Sequence, residues 1–396
     1  MQNQKHFFLQ FDIINPMNKI IAFVKKEPML IVAVIAAIIS LFITPPTREL
    51  IFAIDWKTLA TLFMLLTVLE GFKKENIFSP LLEKTSRLKT MKGLTCFFVY
   101  SVFLSSMFVT NDVSLIIFVP LTIILFRAGN KEKYILPVLT FENIAAIRGS
   151  LLTPFGSPQN LFLFTQSGIS APRFMLMMLP LWLFSAGLLF CFILFLYRKD
   201  LHETIEIDKG EVCKKWTKEN RIKRIVYLVL FVIIITGIVS RTRYWPYITL
   251  FTIISLLIFD RKILLQTDYV LLVTFLCFFV FSSSICKNPA ISEFLSNHVK
   301  GNEYWWSILL SQGISNVPAS IVLWPFTENL RALLYGLDSA GLCSIIGSLA
   351  SVINLRIYVR EYPGKSMKFM KTFEWISLVF FAIVVIPQLL LLMFVH

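Results

Sequence analysis

The chain has 396 residues, 56% of them hydrophobic and 16% charged, with 38 Phe and a mean hydropathy of +0.73, outside the range of a soluble domain of this length. A formal charge of +14 would suit nucleic acid in a soluble protein, but here the basic residues fall between apolar runs and read as cytoplasmic loops. Runs that are apolar all round and lack period-2 alternation argue against an amphipathic soluble fold and a transmembrane β-barrel, leaving an all-α integral membrane protein.

Residues 1–28 mix Lys5, Asp12, Lys19, Lys25, Lys26 and Glu27 with aromatics, which suits a cytoplasmic or interfacial segment and not a cleaved signal. A first transmembrane helix is expected over 29–46, running outward. The first repeat, 47–198, opens with Asp55 and Trp56 at the head of a span that returns to the basic loop 72–92. Residues 93–126 then lie between two basic flanks, Lys92 before them and Arg127, Lys131 and Lys133 after. A single crossing would leave one flank outside, so a re-entrant helical hairpin is expected, with its tip at Thr110, Asn111 and Asp112. Asn111 and Asp112 would cap the second arm and line a wet cavity, because a carboxylate facing lipid is costly.

The span 134–168 carries GSLLTPFGSPQN, whose glycines and prolines predict a discontinuous helix with freed backbone groups. An uninterrupted apolar helix over 173–197 closes the repeat. The basic loop 199–224 is cytoplasmic, and 225–262 supply linking helices. The second repeat, 263–396, keeps the same order. Asp268 and Tyr269 head a span, a hairpin over 303–331 has SNVP at its tip, a broken helix over 337–358 contains GLCSIIGSLASVIN, and an apolar helix ends the chain. The first hairpin enters from the cytoplasm and the second from outside, so the repeats have inverted topology. About nine crossings plus two hairpins in the cell membrane put the N-terminus in the cytoplasm and the C-terminus outside.

Two tips and two breaks meeting near the midplane would present helix N-termini with partial positive charge and unwound carbonyls with partial negative charge. The N-termini suit an anion's oxygens. The carbonyls, with Ser, Thr and Asn oxygens, suit Na+ or a proton-carrying group. The expectation is a secondary active transporter of a small anion, a carboxylate or an inorganic oxyanion, coupled to Na+ or H+. No HExxH, Ser/His or Ser/Lys set points to an enzyme, and no Walker A pattern is present. Cys96, Cys191, Cys213, Cys277, Cys286 and Cys343 have no CxxC spacing, and the four His are scattered. No disulfide framework, metal site or cofactor is expected, Na+ as coupling ion aside.

At its motifs the sequence resembles the ion transporter superfamily, in its arsenite-permease and citrate-permease-like branch, related to the divalent anion:sodium symporters. TPFGSPQN at 153–160 is similar to that branch's Thr-Pro-x-Gly-Asn-Pro-Gln-Asn signature, SQGISNVPAS at 311–320 to its Ser-Asn-Val-Pro-Ala hairpin, and GSLASVIN at 347–354 to its Gly/Ala-Ser-Leu-Ala segment. The resemblance implies a scaffold with a moving transport body, elevator-type alternating access and a homodimer in lipid. It implies Asn111, Asn316, Thr153, Gly156, Ser157, Asn160, Ser344, Gly347 and Ser348 as substrate and cation ligands. Their neighbours complete the expected site: Thr110, Arg148, Pro154, Ser315, Val317 and Pro318 on the substrate, and Asp112, Ser150 and Gly341 on the cation or proton. Among those already named, Asn111, Gly156, Asn316 and Gly347 are expected to serve coupling as well. The sequence departs from the family at Ile147, where Asn is usual, at Arg148, where an apolar residue is usual, and over Asp338–Ser344. Arg148 is read as an anion contact or as the partner of Glu142 or Asp112. Asp338 is read as an interfacial helix cap, and Glu328 with Arg331 as a surface pair. Alternative readings are an arsenite or metalloid efflux permease, or an anion channel.

Overall fold

A computed structural model describes residues 28–45, 50, 52, 54–75, 77, 88, 90–199, 203–205, 221–240, 242–285 and 287–393. The segment 1–27, the basic stretches 78–87 and 206–220, Cys213 and Cys286 lie outside the described residues. In chain order the helices are α1 (Pro28–Ile43), α2 (Trp56–Lys74), α3 (Met91–Val109), α4 (Asn111–Ala128), α5 (Ile135–Gly149), α6 (Pro158–Ser167), α7 (Ala171–Leu196) and α8 (Arg221–Val239). They continue with α9 (Trp245–Gln266), α10 (Tyr269–Ile285), α11 (Pro289–Val299), α12 (Glu303–Ile314), α13 (Asn316–Leu323), α14 (Leu330–Cys343), α15 (Leu349–Glu361) and α16 (Ser366–Met393). Among the described residues there is no strand.

Local chemistry fixes most of these ends. Asp55 Oδ1 accepts the Thr58 amide at 3.0 Å and Asp268 Oδ1 the Leu271 amide at 3.0 Å, so both Asp-aromatic pairs head helices as side-chain caps. Asn329 caps α14 by accepting the Ala332 amide at 3.0 Å. Asp338, expected as a cap, instead sits in the interior of α14 at 1% exposure, because the helix begins two turns earlier than 337. Glu328 pairs with Lys300 at 2.7 Å and not with Arg331, since Lys300 approaches from the end of α11.

Helices α3, α4, α7, α8 and α16 are each long and apolar enough to cross a bilayer, and α9 with α10 forms a further candidate bent by 74°. Inside α9 the backbone leaves helical geometry at Asp260, φ −158° and ψ 70°. The carboxylate there accepts Lys74 at 2.7 Å and Tyr227 at 3.1 Å, with Lys223 at 3.4 Å, which binds the ends of α2, α8 and α9 together.

The helices pack as two groups. In one, α2 packs against α8, α9 and α10, and α10 packs against α1. In the other, α5 is surrounded by α3, α4, α7, α14, α15 and α16, while α12 packs against α13 and α14. The groups meet where α10 lies on α13 and α2 on α4 and α6. Within the second group the halves of the chain interlock, α13 on α6 and α4 on α15, so the second arm of each helix pair rests on the far side of the other half's break.

Candidate functional site

Helices α3 and α4 meet at Thr110, and α12 and α13 meet at Ser315. Both residues have φ 68°, with ψ 156° and 160°, a region that side-chain-bearing residues rarely occupy and that costs about 1–3 kcal/mol. The following amides make matching bonds. Asn111 N donates to Gly156 O at 3.3 Å and Asn316 N to Gly347 O at 3.2 Å. Each tip thus satisfies an orphan helix-start amide with a carbonyl from its own half's break.

The breaks match as well. Helix α5 stops at Gly149 and the chain resumes helix at Pro158, while α14 stops at Cys343 and resumes at Leu349. Ser157 and Ser348 occupy the N-cap positions in extended conformation, φ −147° and −148°, and neither side chain caps its helix. A Cβ on Gly156 would lie 2.3 Å from the Ser150 carbonyl oxygen, and one on Gly347 2.0 Å from that of Ala340. No side chain fits at either place.

Other expected residues are engaged with the protein itself. Thr153 donates to Met107 O, Ser150 to Ile147 O at 3.0 Å, and Asn160 to Ser150 O at 3.3 Å. Ser344 donates to Gln312 at 2.5 Å and accepts the Gly347 amide at 3.3 Å. Asn316 Nδ2 donates to Leu337 O at 3.4 Å, and Asn111 Oδ1 accepts the Asp112 amide at 3.0 Å. The Ser157 hydroxyl, one Asp112 oxygen and Asn160 Oδ1 are buried without a protein partner.

Two cavities open where the packing groups meet. One, about 240 Å³, is walled by Asp112, Asp268, Val317, Pro318, Arg356 and apolar residues of α1, α10 and α15. The other, about 110 Å³, is walled by Thr110, Asp112, Phe155, Ser157, Pro158, Glu70 and Asp268. Asp112, Asp268, Leu271 and Ile353 belong to both walls. Of the residues expected at the site, Thr110, Asp112, Ser157, Val317 and Pro318 face this space. Arg148, Thr153 and Asn160 do not line it.

Asp268, Arg356 and Glu70 were not expected there. Asp268 carried a signal, the repeated Asp-aromatic pair, that points to a helix cap and not to a cavity wall. Arg356 reads from sequence as part of a basic loop. Arg148 pairs with neither carboxylate proposed for it. Its Nε donates to Ser185 on α7 at 3.0 Å, while Glu142 accepts from Thr122 on α4 at 2.5 Å, on another side of α5. The site therefore offers the N-termini of α4, α6, α13 and α15 together with hydroxyls and amides, a combination suited to oxygen-rich anions and small cations.

Residues 20–347 match the family model described as citrate transporter. The chain is 31% identical over 311 residues to the inner membrane protein YbiR of Escherichia coli, covering 77% of this chain and 80% of that protein. It is 30% identical over 310 residues to a protein of Methanocaldococcus jannaschii described as an uncharacterized transporter, covering 78% and 83%.

Proposed function

From membership of the citrate transporter family, to which the chain belongs, we propose that this multi-pass membrane protein is a secondary active transporter carrying a small carboxylate or oxyanion across the cytoplasmic membrane. The observation that carries the reading is the paired tip geometry, Asn111 on Gly156 and Asn316 on Gly347, beside cavities that separate one helix group from the other. Four helix N-termini supply positive ends for carboxylate oxygens, and Thr110 and Ser157 supply hydroxyls.

In this reading the two halves are inverted repeats, their helix pairs enter the membrane from opposite sides, and nine crossings complete the topology. The cavity then faces the cytoplasm, because α4 runs from the first tip, and α15 from the second break, toward the basic residues Arg127 and Arg360. The group α1, α2 and α8–α10 acts as the fixed frame of a homodimer. The group carrying both tips slides against it as an elevator. Asp112, on the shared wall, carries the coupling proton or helps to hold Na+.

Thermal stabilisation of the purified protein by citrate, smaller dicarboxylates, sulfate and arsenite tests this, with Na+ or choline as the cation and at two pH values. A ligand of the folded state raises its stability according to concentration over dissociation constant. A carboxylate shift that needs Na+, or that grows at low pH, identifies the coupling. If arsenite alone shifts the transition, the metalloid permease reading replaces the carboxylate one. If no anion does so, the transport reading fails.

A further inference from the structure

Arg148 is among the largest fully buried side chains of the protein, at 0% exposure, and lies in the last turn of α5 just before the first break. Apart from its bond to Ser185, its Nη1 and Nη2 have no protein partner. A guanidinium keeps its charge inside a protein, so burial demands an opposing carboxylate. Glu142 and Asp112 are turned elsewhere. Helix α14 packs against α5 and carries a buried carboxylate, Asp338, itself 1% exposed, although no direct salt bridge joins it to Arg148.

Asp338 has a second tie to the same region. Its Oδ1 accepts Gln159 Nε2 at 3.3 Å, and Gln159 stands in the first turn of α6, on the far side of the break. Its Oδ2 is buried without a protein partner. Helices α5 and α14 approach closely here, since a Cβ on Gly341 would lie 2.9 Å from Ile147 Cδ1. One carboxylate from the second half therefore bonds the start of α6 and stands on the helix packed against the end of α5. The matching position before the second break is neutral. Ser339, which stands as far before Gly347 as Arg148 stands before Gly156, accepts Gln388 Nε2 at 2.7 Å, and Gln388 Oε1 accepts Tyr304 at 2.6 Å.

We infer that Asp338, through Arg148 and Gln159, is a positioning residue that holds α5 and α6 in the placement presenting Ser157 to the cavity, and that Arg148 does not touch substrate. The inference rests on the transport reading above for what the site binds.

The test compares wild type with D338N, R148Q, the double variant R148Q/D338N and Q159A, by thermal unfolding and by saturation of citrate uptake into proteoliposomes. Each charge-removing single variant leaves one buried charge unopposed. It lowers the unfolding midpoint and raises the half-saturating citrate concentration by roughly tenfold. The double variant recovers both toward wild type, even where the single variants fail to fold. Q159A removes the hydrogen bond to Asp338 and so lowers the midpoint less than D338N does, while it raises the half-saturating concentration severalfold with its maximal rate near wild type, a split that loss of packing alone would not give. A double variant that regains its midpoint but not its affinity would make Arg148 a substrate ligand and overturn the inference. Single variants with wild-type midpoints would equally overturn it. If wild type takes up no citrate, the uptake arm is run with whichever anion of the panel stabilises the protein, a panel without effect puts the transport reading at fault, and the four midpoints still decide whether the two charges pair.

Discussion

The two breaks share a backbone and differ in charge. Around the first, between α5 and α6, stand Asp112, Arg148 and a longer non-helical stretch. Around the second, between α14 and α15, the matching positions hold Val317 and Ser339, and the stretch is shorter. The shared parts are the positive-φ tip residue, the tip amide bonded to a glycine carbonyl, and an extended serine before the resumed helix. Geometry is thus duplicated while charge at the matched positions is not, Asp112 and Arg148 standing against Val317 and Ser339, which teaches that shape and charge at this site can be perturbed separately.

The largest expected effect tests the shared geometry. Gly347→Ala and Gly156→Ala each drive a methyl group into a backbone carbonyl, and destabilisation of about 1–3 kcal/mol or more follows. Gly347→Ala should be the worse of the two, given its closer carbonyl. Chemical unfolding in detergent would measure this, and a neutral Gly347→Ala would break the comparison at its root.

Next comes the charge asymmetry. Asp112→Asn should reduce uptake about tenfold or more, the scale of losing one charged contact worth ~1.5–3 kcal/mol, and flatten its pH dependence. Val317→Ala, at the matching position, should leave both within about twofold, because an apolar wall contact carries little directional energy. Uptake at two pH values separates the outcomes, and equal losses would remove the asymmetry.

A smaller effect distinguishes the tips. Thr110→Gly and Ser315→Gly both relieve an unfavourable φ, and the gain, offset by the entropy of an added glycine, should leave stability raised by up to about 1 kcal/mol. Only Thr110 faces a cavity. Substrate affinity should therefore fall in Thr110→Gly and hold in Ser315→Gly, as ligand-induced thermal shifts would report.

The smallest lies at the base of the first helix pair, beside Lys131 and Lys133. Burial pushes the Glu203 carboxyl up, but bonds from Tyr134 and Lys131, with the charge of Lys133, outweigh it and leave the group below the ordinary glutamate value of 4.5. A carboxyl depressed by folding adds stability at neutral pH, and that stability drains away as pH falls below about 4.5 through the lower folded value. Glu203→Gln should cost under about 1 kcal/mol at neutral pH and flatten the acid limb of a stability-versus-pH curve. Glu303 makes the comparable tie in the second half. There it accepts the Glu328 and Asn329 amides from within its own helix pair.

Much of this geometry was legible in the chain because it is local. Thr110 and Ser315 end helices where small polar residues interrupt apolar runs, and Gly156 and Gly347 mark breaks because glycine and proline weaken helix within a few residues. Asp55 and Asp268 announce helix starts by the same short-range rule. The misreadings fell on side chains whose partners are remote. Arg148 reads from sequence as an anion contact or as the partner of Glu142 or Asp112, and the structure gives it Ser185 on α7 in place of either carboxylate. Asp338 looked interfacial only because the start of α14 was set too late.

The sequence by itself therefore determined the membrane class and the places of the two turns and two helix breaks, since hydropathy, capping and helix-breaking act over a turn or two, while α11 lies outside those expectations. Tertiary structure alone decided which side chains face the cavities, that Asp268 and Arg356 wall them, and that Arg148 bonds Ser185 on α7. Such choices depend on how α5, α7 and α14 rotate and cross once packed, and a buried charge takes whatever partner that packing brings within reach.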